Sequence, residues 1–210
     1  GLTNALHTRE EAMTIRAVVF DFGGVLFDWN PQHLYRKLIA DEHERQWFLD
    51  TICTQAWNTE QDAGRPLAEA TQVLVDQFPH HKALITAYYD RWHEMLRGPL
   101  PDGVAILKAL YAANMPLFGL TNWSAETFPY ARAHYPFLNC FRDIVVSGEL
   151  KLIKPNPAIY DASLSQVRAY LPDIQPGEVV FIDDVADNVD AAFALGWRGI
   201  HHVSAEHTAA

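Results

Sequence analysis

Residues 17–26 read AVVFDFGGVL, an apolar run that ends on Asp21 and passes at once into a pair of glycines. The run is short and rich in β-branched residues, and the glycines bound it, so residues 15–20 are predicted to form a buried strand. In open α/β sheets, ligands bind outside the carboxyl ends of the strands. The sequence therefore places the Asp21 carboxylate where a site would form.

Two later apolar runs, at residues 116–120 and 179–182, end on polar side chains in the same way. The first is followed by a Thr-Asn pair and the second by two adjacent aspartates, with a Lys-Pro step between the two runs. Because the carboxyl ends of parallel strands meet at one edge of a sheet, these groups are expected to converge with Asp21. The residues concerned are Thr121, Asn122, Lys154, Pro155, Asp183 and Asp184.

Composition narrows the class of protein. With 210 residues, 49% of them apolar, the chain can bury the core of one domain plus a modest insertion. Its formal charge of −10 argues against a nucleic-acid surface, and it has no apolar run long enough to span a membrane. Two cysteines, Cys53 and Cys140, make no disulfide framework, so a cytoplasmic protein is expected. A monomer and a homodimer both fit.

The chain is organised as core, insertion, core. Residues 1–13 are polar and are predicted to be an N-terminal tail, with Met13 a candidate native start. Residues 14–27 and 99–210 are assigned to the core, and residues 28–98 to an inserted helical cap in which no strand is expected. The turn-rich stretch at residues 98–103 would be the hinge between them.

After this hinge, strand and helix signals alternate. Strands are predicted at 116–120, 144–146, 179–182 and 199–203, and helices around Val104 to Tyr111, at 157–170 and at 187–195, the last closed by Gly196. Such alternation implies parallel βαβ units. The predicted fold class is α/β: a doubly wound, Rossmann-like parallel sheet core with an inserted α-helical cap.

The four motifs, in this order, resemble those of the haloacid dehalogenase superfamily, most closely its small phosphatases with a helical cap. The resemblance spans residues 17 to about 200. It implies a hydrolase that removes phosphate from a small phosphorylated metabolite, with Asp21 as the nucleophile that forms an aspartyl-phosphate. No nucleic acid or membrane partner is implied.

The acidic residues predict a magnesium site. Two adjacent carboxylates at a strand end, together with Asp21, give the hard oxygen ligands that Mg²⁺ prefers. By resemblance, Asp184 is the direct ligand, Asp183 acts through water, and the Gly23 carbonyl completes the set. Asp187 and Asn188, one turn later, either support the metal or favour the N-terminus of the following helix.

The phosphate group would be held by backbone and side-chain donors. The N–H groups of Gly23 and Gly24, the Thr121 hydroxyl and the Asn122 amide are the candidates. By resemblance, Lys154 offsets the negative charge of phosphate and carboxylates. A competing lysine at position 151 lacks the Lys-Pro step, in which Pro155 suits a helix start.

Position 23 departs from a common pattern. Many phosphatases of this superfamily read Asp-x-Asp, and their second Asp is the general acid and base. In this chain Gly23 occupies that position. Help of that kind is worth about 10²–10⁴-fold in rate, so without it the rate should depend steeply on the leaving group. Either another acid such as Asp28 serves, or the substrate leaves easily, or the protein is slow or inactive. Asp28 also suits a hinge residue.

Glucose-1-phosphatase-like members of the superfamily resemble the chain at Gly23 and at the acidic pair, which suggests a sugar phosphate as substrate. One alternative is a 2-haloacid dehalogenase, although the Asp183-Asp184 pair argues against it. Another is a non-catalytic protein that binds a phosphorylated ligand.

Trp123 either borders the phosphate pocket or belongs to the core. The cap tryptophans are predicted to form the core of a helix bundle, and the two histidine doublets are expected at the surface or in loops. These residues are Trp47, Trp57, Trp92, His80, His81, His201 and His202.

Overall fold

A five-stranded parallel sheet forms the centre of the protein in the computed structural model, which describes residues 14–203. A separate two-stranded ribbon pairs β2 with β3. The strands are β1 (Ala17–Phe20), β2 (Phe27–Trp29), β3 (Leu96–Pro99), β4 (Leu117–Thr121), β5 (Asp143–Val146), β6 (Val179–Asp183) and β7 (Arg198–His201).

Helices cover the sheet and fill the insertion. Those of the insertion are α1 (Gln32–Leu38), α2 (Glu42–Thr51), α3 (Gln55–Asp62), α4 (Leu67–Gln77) and α5 (Lys82–Asp90). Those of the core are α6 (Pro101–Ala112), α7 (Phe128–His134), α8 (Ser147–Leu150), α9 (Pro157–Tyr170) and α10 (Ala186–Ala194). Short 3-10 turns lie at Pro79–His81, Trp92–Glu94, Pro136–Cys140 and Pro176–Glu178.

The sheet order, β5-β4-β1-β6-β7, puts β1 at the centre. The chain first builds outward from β1 through β4 to β5, then crosses to build β6 and β7 on the other side. The register pairs Phe20 of β1 with Gly119 of β4 and with Ile182 of β6. This confirms the predicted doubly wound α/β fold and sets a topological switch point at the carboxyl end of β1.

Most predicted elements of the core occur within two residues of their expected bounds. Helix α9 matches its prediction, and α10 ends before Gly196, which has a φ of +88°. The last strand begins at Arg198 and ends at His201, earlier than predicted. Pro155 does not start a helix, because Asn156 is the N-cap of α9 and its side chain accepts a hydrogen bond from Ala158.

The expectation that the insertion contains no strand was wrong. Strands β2 and β3 pair antiparallel, with Phe27 opposite Pro99 and Trp29 opposite Leu96, and so close the two ends of the insertion. Each strand is only three or four residues long, and the partners are far apart in sequence. A ribbon of that kind is stabilised by tertiary pairing and leaves little local pattern.

The insertion and one face of the sheet share a continuous apolar cluster. Phe22 and Phe27 of the core belong to the same cluster of buried side chains as Tyr35 and Trp57 of the insertion. We call residues 14–27 and 99–203 the core and residues 28–98 the cap. This division stays our proposal.

The cap tryptophans were predicted to be core residues, and this is wrong for one of them. Trp57 and Trp92 are each 7% exposed, whereas Trp47 is 48% exposed on α2.

Of the helices in residues 14–203, none is long and apolar enough to cross a bilayer. The predicted tail at residues 1–13, with Met13, lies outside the described residues.

Candidate active site

Three carboxylates converge at the carboxyl edge of the sheet. Asp21 follows β1 directly, Asp183 is the last residue of β6, and Asp184 comes next in the chain. One oxygen from each lies within 4.8 Å of the others. The convergence follows from the parallel register, because neighbouring strands that pair Phe20 with Ile182 bring the residues after them side by side.

Lys154 neutralises part of this charge. Its side chain is 1% exposed, and its Nζ donates to Asp21 at 2.7 Å and to Asp183 at 2.8 Å. The Lys154 backbone is held by Asn122, whose Oδ1 accepts from the Lys154 N–H at 2.9 Å and whose Nδ2 donates to the Lys154 carbonyl at 3.2 Å. Asn122 therefore positions the lysine in addition to facing the cavity.

The two adjacent aspartates differ in accessibility. Asp183 is fully buried, and its oxygens accept from Lys154, from the Val185 N–H at 2.8 Å and from Asn188 Nδ2 at 3.1 Å. Asp184 is more exposed and lines the cavity. Protein donors thus occupy Asp183, while Asp184 has oxygens available for a metal.

Burial and repulsion between neighbouring carboxylates raise the pKa values of two of the acids in the site. Burial raises the pKa of Asp21 well above its usual range, and the Asp183 charge adds to this while Lys154 opposes it. Burial also raises the pKa of Asp184. Burial alone would lower the pKa of Lys154, but the Asp21 and Asp183 carboxylates outweigh it and hold that pKa above its ordinary value.

The two glycines after Asp21 have different environments. Gly24 has a φ of +76°, and a Cβ placed there would lie 2.1 Å from Asp184 Oδ2, so only glycine fits. Its N–H donates to the Phe27 carbonyl at 3.0 Å, which leaves it unavailable for the predicted contact with phosphate. Gly23 lines the cavity, and a Cβ there would meet no heavy atom within 4 Å.

A cavity of about 280 Å³ lies between this edge of the sheet and the cap. Asp21, Lys154 and Asp184 line its core side. Aromatic and uncharged polar side chains form much of the remaining wall. They include Phe27, Trp29, Gln55, Asn58, Thr59, Tyr89, Trp92 and Trp123. Trp123 is both 8% exposed and part of the lining, so it serves as core and as wall.

Other predicted site residues lie at the edge of the cavity or outside it. Thr121 ends β4 at the same edge of the sheet and is 1% exposed, but it is not among the residues lining the cavity. Lys151 is exposed and its side chain lies against Gly64 of the cap, which leaves Lys154 as the lysine of the site. Asp187 is exposed in the first turn of α10 and does not line the cavity either, whereas Asn188 does.

A family model of haloacid dehalogenase-like hydrolases matches residues 15–196. The chain belongs to this family of hydrolases. It is 28% identical over 191 residues to the sesquiterpene phosphatase astK of Aspergillus oryzae, covering 90% of each protein. It is 23% identical to the drimenol cyclase drtB of Aspergillus calidoustus, of which it covers 34%.

Solved structures of the family share the fold. A HAD family enzyme from Bacteroides thetaiotaomicron, solved as a magnesium complex, superposes with a TM-score of 0.67 at 21% identity, over 89% of this chain and 92% of that one. The L-2-haloacid dehalogenase of Xanthobacter autotrophicus, with chloropropionic acid covalently bound, gives 0.61 at 21% identity, over 93% and 81%. The fold is thus shared with a magnesium-bound enzyme and with a dehalogenase, and fold likeness alone does not choose a reaction.

Two further residues near this site were not predicted from the sequence. His201, assigned to the surface as part of a doublet, is exposed as expected, but its Nε2 lies 2.9 Å from the Asp184 carbonyl. Asp62, the last residue of α3, lines the cavity from the cap side. Burial raises the pKa of Asp62 to about 7, against the opposing effects of the Lys154 charge and the Ser124 N–H. No motif marks either residue, because each reaches the site only through the folded packing.

Proposed function

We propose that this HAD-like hydrolase is a Mg²⁺-dependent phosphatase that acts on a small phosphorylated metabolite through an aspartyl-phosphate. The observation that carries the proposal is the cluster of Asp21, Asp183, Asp184 and Lys154 at the sheet side of the cavity. The acidic pair favours phosphoryl chemistry over dehalogenation, since attack on carbon needs no metal ligands.

The donor set suits the metal. Three carboxylates face one ammonium group, so ionisation of all four leaves an excess of two negative charges in a largely buried place. Asp21, Asp184 and the Gly23 carbonyl would hold Mg²⁺, with Asp183 supporting through water, and hard oxygen ligands of this kind are those it prefers. Bound there, Mg²⁺ would screen the charge of nucleophile and phosphate and so permit their approach.

The protein's own residues would do the rest of the work. An oxygen of Asp21 attacks phosphorus, while Lys154 and the N–H of Gly23 stabilise the negative charge that builds on the phosphoryl oxygens. Asn122, which lines the cavity, would position Lys154 for this contact, and Thr121 would support the phosphate site from the end of β4, outside the lining. Water then attacks phosphorus and releases phosphate, which restores Asp21.

The substrate we favour is a phosphate monoester of an apolar alcohol. Five aromatic side chains line the cavity: Phe27, Trp29, Tyr89, Trp92 and Trp123. Rings of this kind bury the carbon skeleton of such an ester well. The likeness to a sesquiterpene phosphatase supports the same choice, and it replaces the sugar phosphate suggested by the Gly23 resemblance.

A panel of phosphate monoesters, assayed with Mg²⁺ and with EDTA, tests the proposal. We expect metal-dependent phosphate release, faster with farnesyl phosphate than with glucose 1-phosphate. Full activity in EDTA would contradict the metal mechanism, and chloride release from 2-chloropropionate would then support the dehalogenase alternative. Tight binding of an ester without turnover would instead support a non-catalytic ligand-binding protein.

A further inference from the structure

One acid of the cap faces the reaction centre. Resting on the phosphatase function proposed above, we propose that Asp62 is the general acid and base of the reaction, supplied by the cap in place of the carboxylate that position 23 lacks. Its carboxyl group would protonate the departing alcohol and then activate the water that cleaves the aspartyl-phosphate.

The position of Asp62 carries this inference. Asp62 and Asp21 line the same cavity, and Asp62 is the only carboxylate that the cap contributes to the lining. Lys154 lies near enough for its charge to lower the pKa of Asp62, and the same ammonium touches Asp21 at 2.7 Å. The cap carboxyl therefore faces the same cavity as the proposed nucleophile, and it approaches that cavity from the cap.

The backbone of Asp62 is fixed to the core. Its carbonyl accepts from the Ser147 hydroxyl at 2.6 Å, and Ser147 itself is buried and accepts from the Trp123 N–H at 2.9 Å. A second link joins the cap to the core where the Leu67 N–H donates to Glu126 at 2.8 Å. The end of α3 is thus held in place beside the site, as a proton donor requires.

The alternative acid, Asp28, has other partners. It lies in the ribbon between core and cap, where His33 Nε2 is 2.9 Å away and Arg97 is 3.8 Å away. It is not among the residues that line the cavity. The carboxyl of Asp62, by contrast, forms no ion pair within 4.0 Å among residues 14–203. Its neighbouring donor is the Ser124 N–H, so no side-chain cation holds it away from a ligand.

The ionisation of Asp62 suits both halves of the role. Because burial raises its pKa to about 7, the group is protonated in a large share of molecules near neutral pH and still gives up its proton readily. Other charged or titratable groups share its surroundings. They are Lys154, Tyr88 and Tyr89 nearby, Asp21 and Asp184 in the same cavity lining, and Arg65, Glu126, Glu149 and Lys151 on the adjoining segments.

The proposed steps balance. As an Asp21 oxygen bonds to phosphorus, the bond from phosphorus to the ester oxygen breaks, and Asp62 gives its proton to that oxygen to release the alcohol. Asp62 is then a carboxylate. It takes a proton from the attacking water, the bond between phosphorus and Asp21 breaks with its electron pair returning to Asp21, and phosphate leaves.

The test compares a good and a poor leaving group. For Asp62→Asn, kcat/KM with hexyl phosphate should fall by about 10²-fold or more, since its alkoxide needs the proton. With p-nitrophenyl phosphate it should change by less than about tenfold, and a burst of p-nitrophenol should precede a slow steady state. Adding Gly23→Asp to this variant should restore at least about tenfold on hexyl phosphate, because position 23 has open space for a side chain.

Three controls complete the experiment. Asp90→Asn, on an exposed residue of cap helix α5, should match the wild type on both esters. Asp62→Glu keeps the carboxyl and should retain more hexyl phosphate activity than Asp62→Asn, which also guards against a folding defect. The fall in wild-type kcat/KM on hexyl phosphate as pH rises through about 7 should be absent in Asp62→Asn.

The possible outcomes separate the role of Asp62 from the phosphatase function itself. An equal loss on both esters without a burst, or no loss on either, would overturn the role of Asp62 alone. A selective loss in Asp28→Asn and none in Asp62→Asn would overturn it in favour of Asp28. Absence of turnover of both esters by the wild type, with Mg²⁺ present, would overturn the phosphatase function and this inference with it.

Discussion

The cavity has two walls, one from the sheet and one from the cap, and they differ in charge. The sheet wall carries Asp21, Asp184 and Lys154, with Asp183 buried behind them. Among the described residues, the cap wall is aromatic or polar and uncharged apart from Asp62, its one carboxyl group. The charges proposed to act on a phosphoryl group are thus concentrated on one side, while the organic part of a substrate would meet the other.

The walls also differ in how they are held. Backbone pairing of β1, β4 and β6 fixes the sheet wall, because every strand end is tied to its neighbours. The cap wall is positioned by packing and by a few links such as the hydrogen bond from Ser147 to Asp62. We therefore expect substitutions in the sheet wall to abolish chemistry or metal binding and those in the cap contacts to have graded effects.

The largest effect should come from Asp21→Asn. The amide has nearly the same shape as the carboxylate but cannot attack phosphorus, so turnover should fall below about one per cent of wild type. Phosphate release by the purified variant is the measurement, with the far-UV circular dichroism spectrum as the check on folding. Retention of more than a few per cent of wild-type kcat, with contamination excluded, would show that another group is the nucleophile.

The two adjacent aspartates should separate metal binding from stability. Asp184→Ala should raise the Mg²⁺ concentration needed for activity more than Asp183→Ala does. Asp183→Ala should instead lower the free energy of unfolding by at least about 2 kcal/mol, since Lys154, Val185 and Asn188 lose a buried acceptor. Metal titration and urea unfolding measure the two effects, and the reverse ranking in both would contradict the assignment.

The glycine pair offers a matched test of the turn. Gly24→Ala should cost about 1–3 kcal/mol of stability, because φ is +76° and the new Cβ would meet the Asp184 carboxylate at 2.1 Å. Gly23→Ala meets open space and should change stability by less than about 0.5 kcal/mol. Urea unfolding of both variants is the measurement, and equal losses would mean that the turn does not discriminate between the two positions.

The smallest effect should come from the surface link between the walls. Glu126→Ala removes the acceptor of the Leu67 N–H at 2.8 Å and should cost less than about 1 kcal/mol, because water can replace an exposed acceptor. Glu149→Ala, an exposed change on neighbouring α8 without a hydrogen bond to the cap among the described residues, is the control. A loss above about 2 kcal/mol would mean that this link fixes the cap.

Much of the sheet wall could be predicted from local sequence. Short β-branched runs ending on Asp21, Thr121 and Asp183 predicted parallel strands, and parallel strands place their ends together. The side chains to which we assign the chemistry therefore follow the strand pattern directly. Local sequence did not predict which of these groups already have hydrogen-bond partners inside the protein. The Asn122 amide is bound to the Lys154 backbone, and the Gly24 N–H donates within its own turn.

The cap wall could not be predicted in the same way. Asp62 ends an ordinary helix, and nothing within α3 indicates that it faces a site formed by residues far away in sequence. The β2–β3 ribbon and the exposed position of Trp47 escaped prediction for a related reason, since helical spacing does not say which face finds a partner.

The sequence by itself determined the fold class, the family and the charged edge of the sheet, because strand ends and Gly-rich turns are local patterns with one structural outcome. Only the tertiary structure decided which groups enclose that edge from above. Cap orientation depends on long-range contacts such as Ser147 with Asp62 and Glu126 with Leu67, which have no local sequence pattern. The placement of a cap acid in the cavity that Asp21 lines is therefore a property of the packed molecule.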